Sequence, residues 1–324
     1  MTAVIPTPPP AHACLWDHDT FKEEALGQRE VALAVTGDIG KHGATFINAK
    51  VHYTRGLLAL PTTRNRAERY DDLAVALARL GNYDEALAVL DEKESQFPDL
   101  YTTKANRGTF LMLKGELDAG ATWLQNAMAQ NPNAHFGREK YQLALLRFVQ
   151  DRAKRRPGEA PGPATFIDVQ LTMTPGELPA NHGELLRAIT QRAKKRKLQA
   201  PSEPVLALVG LIRFGAADQM PDVWFALGWA LLGQGDSQLA ARAFRRAEVL
   251  GHPRAAADGA LAVSVWYGNA GYAGELSPAN LRQWQTFTKL FDAEWKNGQR
   301  AMAQSQAREE RLVRAKQFAA LFGY

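Results

Sequence analysis

Apolar residues recur three and four apart along this chain, on either side of well-placed glycines, and the recurrence itself repeats. Tyr70, Leu73, Ala74 and Leu77 fall on one stripe of a helix, and Tyr83, Ala86, Leu87 and Leu90 on one stripe of the next. Gly81 stands between them, where glycine can adopt the left-handed conformation that ends a helix, and Pro98 blocks continuation of the second. Thirty-four residues later Gly81 recurs as Gly115, Leu90 as Leu124 and Pro98 as Pro132. A third copy spans 221–253, with Trp224, Leu227, Gly228, Leu231, Gly235, Ala240, Phe244 and Ala247. The small residues Ala74, Gly108, Ala86 and Gly120 mark where two helix backbones must come close. The pattern predicts an all-α chain of paired antiparallel helices.

Outside the repeats the reading is coarser. Residues 21–60 predict two or three helices, interrupted by Gly37-Asp38-Ile39-Gly40-Lys41-His42-Gly43. Residues 134–156 predict a capping helix, 166–171 a short strand or extended packing segment, and 183–198, 203–214 and 254–266 further helices. Pro278 opens a last helical segment with Leu281, Trp284, Phe287, Phe291 and Trp295 on one stripe. Asn297-Gly298 is expected to break or bend it. The divisions that follow are 1–16, a tail or leader remnant; 17–156, N-terminal helices and the first array; 157–182, a linker; 183–276, a second array; and 277–324, a C-terminal helical segment.

The period resembles the tetratricopeptide repeat, which implies an α-solenoid of helical hairpins with extra N- and C-terminal helices. Two residues depart from its pattern: Lys93 where alanine is expected and Arg107 where leucine is. The stretches YDDLAVALARLG, ANRGTF and NPNAHFGREKYQ are similar to those of a group of bacterial repeat proteins that open with Cys-x-Trp-Asp-x-Asp-Thr, a likeness that brings no activity with it. Tetratricopeptide proteins bind partners along an inner groove. The matching positions here are Asp71 and Arg79, Thr109 and Met112, Leu143 and Arg147 on the following helix, and Phe225 and Trp229. Paired lysines and asparagines, which hold a peptide carboxylate in some members, are absent from these places. An apolar helix or extended peptide of a partner protein suits the groove better. The rival occupant is the chain's own C-terminal helix.

Composition narrows the function classes. The 324 residues are 46% hydrophobic, as in ordinary folded proteins, with no apolar run long enough to cross a membrane. A net charge of +5 permits acidic partners without requiring them. The basic runs at 152–156 and 192–197 lack interleaved aromatics, so they read as solvated helix ends and not as a nucleic-acid surface. No HExxH, GxSxG or complete phosphate loop is present, the seven histidines are scattered, and no cofactor is indicated. The chain therefore reads as a scaffold and not as an enzyme.

Two clusters carry the remaining chemistry. Cys14, Asp17, His18 and Asp19 are the densest group of metal-ligand types, although their spacing fits no zinc pattern and a helix N-cap explains the aspartates. His135, Arg138, Glu139, Lys140 and Tyr141 form a polar group denser than packing demands. Ala11-His12-Ala13 before Cys14 resembles the end of an export signal, which points to the periplasm or cell envelope; a disordered tail on a cytoplasmic protein is the alternative. Ala11 speaks against a lipid on Cys14. The expected function is binding of a protein or peptide. The alternatives are a structural subunit of an envelope assembly and a metal-binding protein.

Overall fold

The computed structural model describes residues 27–132, 137–154, 165–167, 201–215, 217–267 and 278–322. Among the described residues there are helices and no strands. The first group comprises α1 (Gln28–Val35), α2 (Ala44–Leu58), α3 (Pro61–Arg64), α4 (Ala67–Arg79) and α5 (Tyr83–Gln96). Next come α6 (Tyr101–Lys114), α7 (Leu117–Gln130) and α8 (Arg138–Lys154). The remainder are α9 (Glu203–Arg213), α10 (Pro221–Gly233), α11 (Ser237–Val249), α12 (Ala255–Trp266), α13 (Pro278–Arg314) and α14 (Phe318–Phe322). Each helix from α4 to α13 packs on the one after it, which makes an all-α array of helical hairpins.

The repetition in sequence is a repetition in backbone chemistry. Gly81, Gly115 and Gly235 have φ of 82°, 96° and 94°, the left-handed region that a side chain disfavours. At each turn the amide one residue further on reaches back to close the helix end: Asn82 to Leu77 O at 3.0 Å, Glu116 to Leu111 O at 2.8 Å, Asp236 to Leu231 O at 2.8 Å. The small residues sit where the backbones meet. Ala74 and Ala86 are fully buried, and a Cβ on Gly108 would lie 3.1 Å from Gly120 O.

Two large apolar cores result. One gathers α9 to α12 around Trp224, Phe225, Leu208 and Phe244, with Ile167 from the described part of the expected extended segment. The other lies between α2, α4, α5 and α6, around Phe46, Leu73, Leu77, Leu90 and Phe110. Lys140 and Arg152 of α8 pair with Glu203 of α9 and Asp222 of α10.

The C-terminal segment overturns one expectation. Asn297-Gly298 does not break it: α13 runs unbroken through 37 residues, about 55 Å. Gly298 is there for proximity. A Cβ on it would lie 2.3 Å from Thr36 O and 2.7 Å from the Asp38 amide, so the helix rests against the chain just after α1. From that point α13 runs as a strap along the N-terminal segment. Gln299 Nε2 donates to Gly37 O at 2.7 Å and Gln306 Nε2 to Lys41 O at 2.8 Å. His42 Nδ1 and Glu309 Oε1 lie 2.7 Å apart, and Thr45 donates to Glu310 at 3.3 Å. The two ends of the array are thereby joined.

Gly298→Ala is expected to destabilise the protein by about 1–3 kcal/mol, the cost of overpacking against rigid backbone. Urea unfolding measures it; an unchanged midpoint and slope would show that the approach relaxes freely.

Candidate functional site

The inner-face residues are for the most part covered by the chain itself. Asp71 is buried, and Lys93 from α5 lies 2.7 Å from both of its carboxylate oxygens. Lys93, with no exposure at all, also donates to Thr102 Oγ1 at 2.7 Å, and Asn106 Nδ2 donates to Asp71 at 3.1 Å. Burial pushes the Asp71 carboxyl above its ordinary range, while the Lys93 ammonium and the hydrogen bonds oppose that rise. The lysine that departs from the repeat pattern is the counter-ion of a core aspartate. Arg107, the other departure, lies over the Trp123 ring at 5.1 Å and donates to Asp91 at 2.6 Å.

Thr109 and Met112 are buried beneath α8, where Gln142 Nε2 reaches Thr109 Oγ1 at 3.0 Å and Met112 Sδ at 3.4 Å. Leu143 is buried as well. In the third copy Phe225 stacks on His252 with centroids 3.8 Å apart and meets the Phe244 edge at 5.5 Å. Trp229 donates from Nε1 to Asp258 at 3.3 Å and lies against Phe244 at 6.0 Å. Of the eight expected groove residues only half-buried Arg79 and exposed Arg147 face water appreciably. The expected trough is filled by neighbouring helices.

The polar group near residue 138 is a joint and not an open site. His135 lies outside the described residues. Arg138 is fully buried, its guanidinium over the Phe214 ring at 5.3 Å, and a Cβ on Gly210 would meet its Nε at 2.4 Å. Glu139 is buried too. Lys140 pairs with Glu203, and the buried Tyr141 hydroxyl donates to the same carboxylate at 3.4 Å. Burial, with Glu203 beside it, raises the Tyr141 phenol far above its usual range. Cys14, Asp17, His18 and Asp19 also lie outside the described residues, as do the tail and most of the linker. Among the described residues no three metal-ligating side chains converge, and no helix is long and apolar enough to cross a membrane.

The place where a helical segment already sits in an apolar seat is at the other end of the strap. α13 ends at Arg314, and Lys316 takes a left-handed φ of 54° that turns the chain. α14 then lays Phe318, Leu321 and Phe322 on the core between α2, α4, α5 and α6. Phe322, buried to 1% exposure, meets the Phe46 ring at 5.2 Å and Tyr53 at 5.3 Å. Phe318 lies 5.6 Å from Tyr53. Phe46 and Tyr53 are seven residues apart, two turns on one face of α2, and they receive side chains at i, i+3 and i+4 of a short helix. The apolar spacing of both segments is readable in the sequence; their meeting is not.

The chain matches no protein-family model, and no curated protein matches it. Fold and site define an all-α array of helical hairpins closed by its own C-terminal helix.

Proposed function

We propose that the protein is a tetratricopeptide-type scaffold that binds an amphipathic helix of another polypeptide, and that α14 holds the receiving seat until such a partner displaces it. The single observation that carries this reading is the docking of Phe318, Leu321 and Phe322 against Phe46 and Tyr53. A five-residue helix set apart from α13 by a left-handed lysine is a small, separable unit. Its i, i+3, i+4 anchors are the form in which grooves of this kind take helices from other chains. The 34-residue period and the repeated glycine turns support the tetratricopeptide class.

The test uses the protein's own segment as probe. A chain ending at Lys316 is titrated against a labelled peptide of residues 311–324, read by fluorescence anisotropy. The expected result is saturable micromolar binding, roughly ten-fold or more weaker to the full chain because tethered α14 competes at high effective concentration. A peptide carrying Phe322→Ala is expected to lose it. Absence of binding by a folded truncated protein, or unfolding of the protein on truncation, would make α14 a permanent part of the core and end the proposal.

Residence in the bacterial periplasm or envelope is part of the same proposal and rests on Ala11-His12-Ala13-Cys14 alone. Sequencing the N-terminus of the natural protein decides it: a chain beginning at Cys14 supports export, and one retaining Met1 removes the argument.

A further inference from the structure

A cavity of about 300 Å³ lies between α1, α11 and α13, far along the strap from the α14 seat. Its apolar walls are Val35, Val249, Phe291 and Trp295. Three arginines of α11 line it, and two are fully engaged. Arg242 holds both oxygens of Glu294, at 2.7 and 2.8 Å. Arg245 holds both oxygens of Asp292, at 2.9 and 2.8 Å, and Glu248 at 2.7 Å.

The third differs. Arg246 lies over the Trp295 ring at 4.4 Å, and its only hydrogen bond among the described residues is a long one, Nη2 to Gln219 Oε1 at 3.5 Å. Its Nε is buried without a partner, and no carboxylate of the described residues stands within ion-pair distance. Burial lowers the guanidinium below its ordinary range, with Asp218 opposing. A half-buried cation with one N–H shut off from water and no carboxylate in ion-pair contact carries a desolvation cost that a bound anion recovers. Exposed Lys296 adds a fourth cation to the lining, whose one carboxylate, Asp292, is held by Arg245.

The geometry points to a binding site for an amphipathic carboxylate, an acid group on an apolar body, with Arg246 as its charge partner and Phe291, Trp295 and Val249 around the body. The volume suits a body of aromatic size, at the small end of ligand cavities. Such a carboxylate has two sources: a free small organic acid, or the terminal residue of a polypeptide ending in an apolar side chain. The inference does not depend on the α14 seat.

Calorimetric titration of the full chain tests it with four probes: 3-phenylpropanoate, N-acetyl-alanyl-phenylalanine, and the amide of each. One-site binding is expected, with an acid about ten-fold or more tighter than its amide, the worth of a charge-assisted hydrogen bond. The phenylpropanoate arm binding more tightly supports a free acid; the dipeptide arm doing so supports a chain terminus. Arg246→Gln is expected to bring the acid down to the affinity of the amide. Val249→Asp, at a residue 53% exposed, is expected to weaken the acid about ten-fold by repulsion without lowering the melting temperature. Equal affinity for acid and amide, no binding by either acid, or unchanged affinity in a folded Arg246→Gln protein would overturn the inference. Should Arg246→Gln fail to fold, unchanged affinity in Val249→Asp overturns it equally.

Discussion

Lys93→Ala is expected to lower the unfolding free energy by about 3–5 kcal/mol, the loss typical of breaking one side of a buried ion pair. The reason is less the attraction lost than the charge left behind. Asp71 is buried, and Lys93 is the only cation that contacts it among the described residues. With the ammonium gone, Asn106 keeps its hydrogen bond but supplies no positive charge. The carboxyl must then take up a proton or remain ionised in a dry core. The double variant Asp71→Leu, Lys93→Met removes both charges at similar volume and is expected to recover most of the loss. Urea unfolding of both singles and the double measures the coupling. A Lys93→Ala loss under about 1 kcal/mol would show that water reaches this pair as it reaches surface pairs.

Trp229→Ala is expected to cost about 3–5 kcal/mol as well, as for other buried aromatics. Its ring closes against Phe244, and its indole N–H is held by Asp258. Truncation empties a space that α10, α11 and α12 enclose and cannot readily fill. The same substitution separates two roles for the inner face. A residue waiting for a partner would give up binding and little stability; a residue filled by its own chain gives up stability. Thermal unfolding with a retained far-ultraviolet helix signal distinguishes them, and a loss below about 1 kcal/mol would return Trp229 to the list of partner contacts.

The pairing of helices was legible because each helix hides one stripe, and the period of that stripe is written residue by residue. Gly81, Gly115 and Gly235 mark turns because only their backbones take the required φ cheaply. What could not be read is which distant stripes meet. Inner-face positions such as Met112 and Phe225 are apolar whether a partner or a neighbouring helix covers them, so the sequence left the occupant open and the fold supplies the helices. Gly298 illustrates a second limit. A glycine inside a helix reads as weakness, yet here it permits the approach of α13 to Thr36, a contact nothing local could announce. Arg246 is a third case: one arginine among three on α11, distinguished only by lacking the acidic neighbour that Arg242 and Arg245 find on α13.

The joined ends change how this molecule comes apart and how it is made. An open solenoid frays from its tips, repeat by repeat. Here the outermost hairpins are tethered to one another through contacts such as His42 with Glu309, which are 267 residues apart. Unzipping is therefore replaced by a single cooperative event, and hydrogen exchange in α2 should be as slow as in the middle of the array. Synthesis runs the argument in reverse: the Phe46 and Tyr53 face of α2 meets its cover only when nearly the whole of the described sequence has been translated.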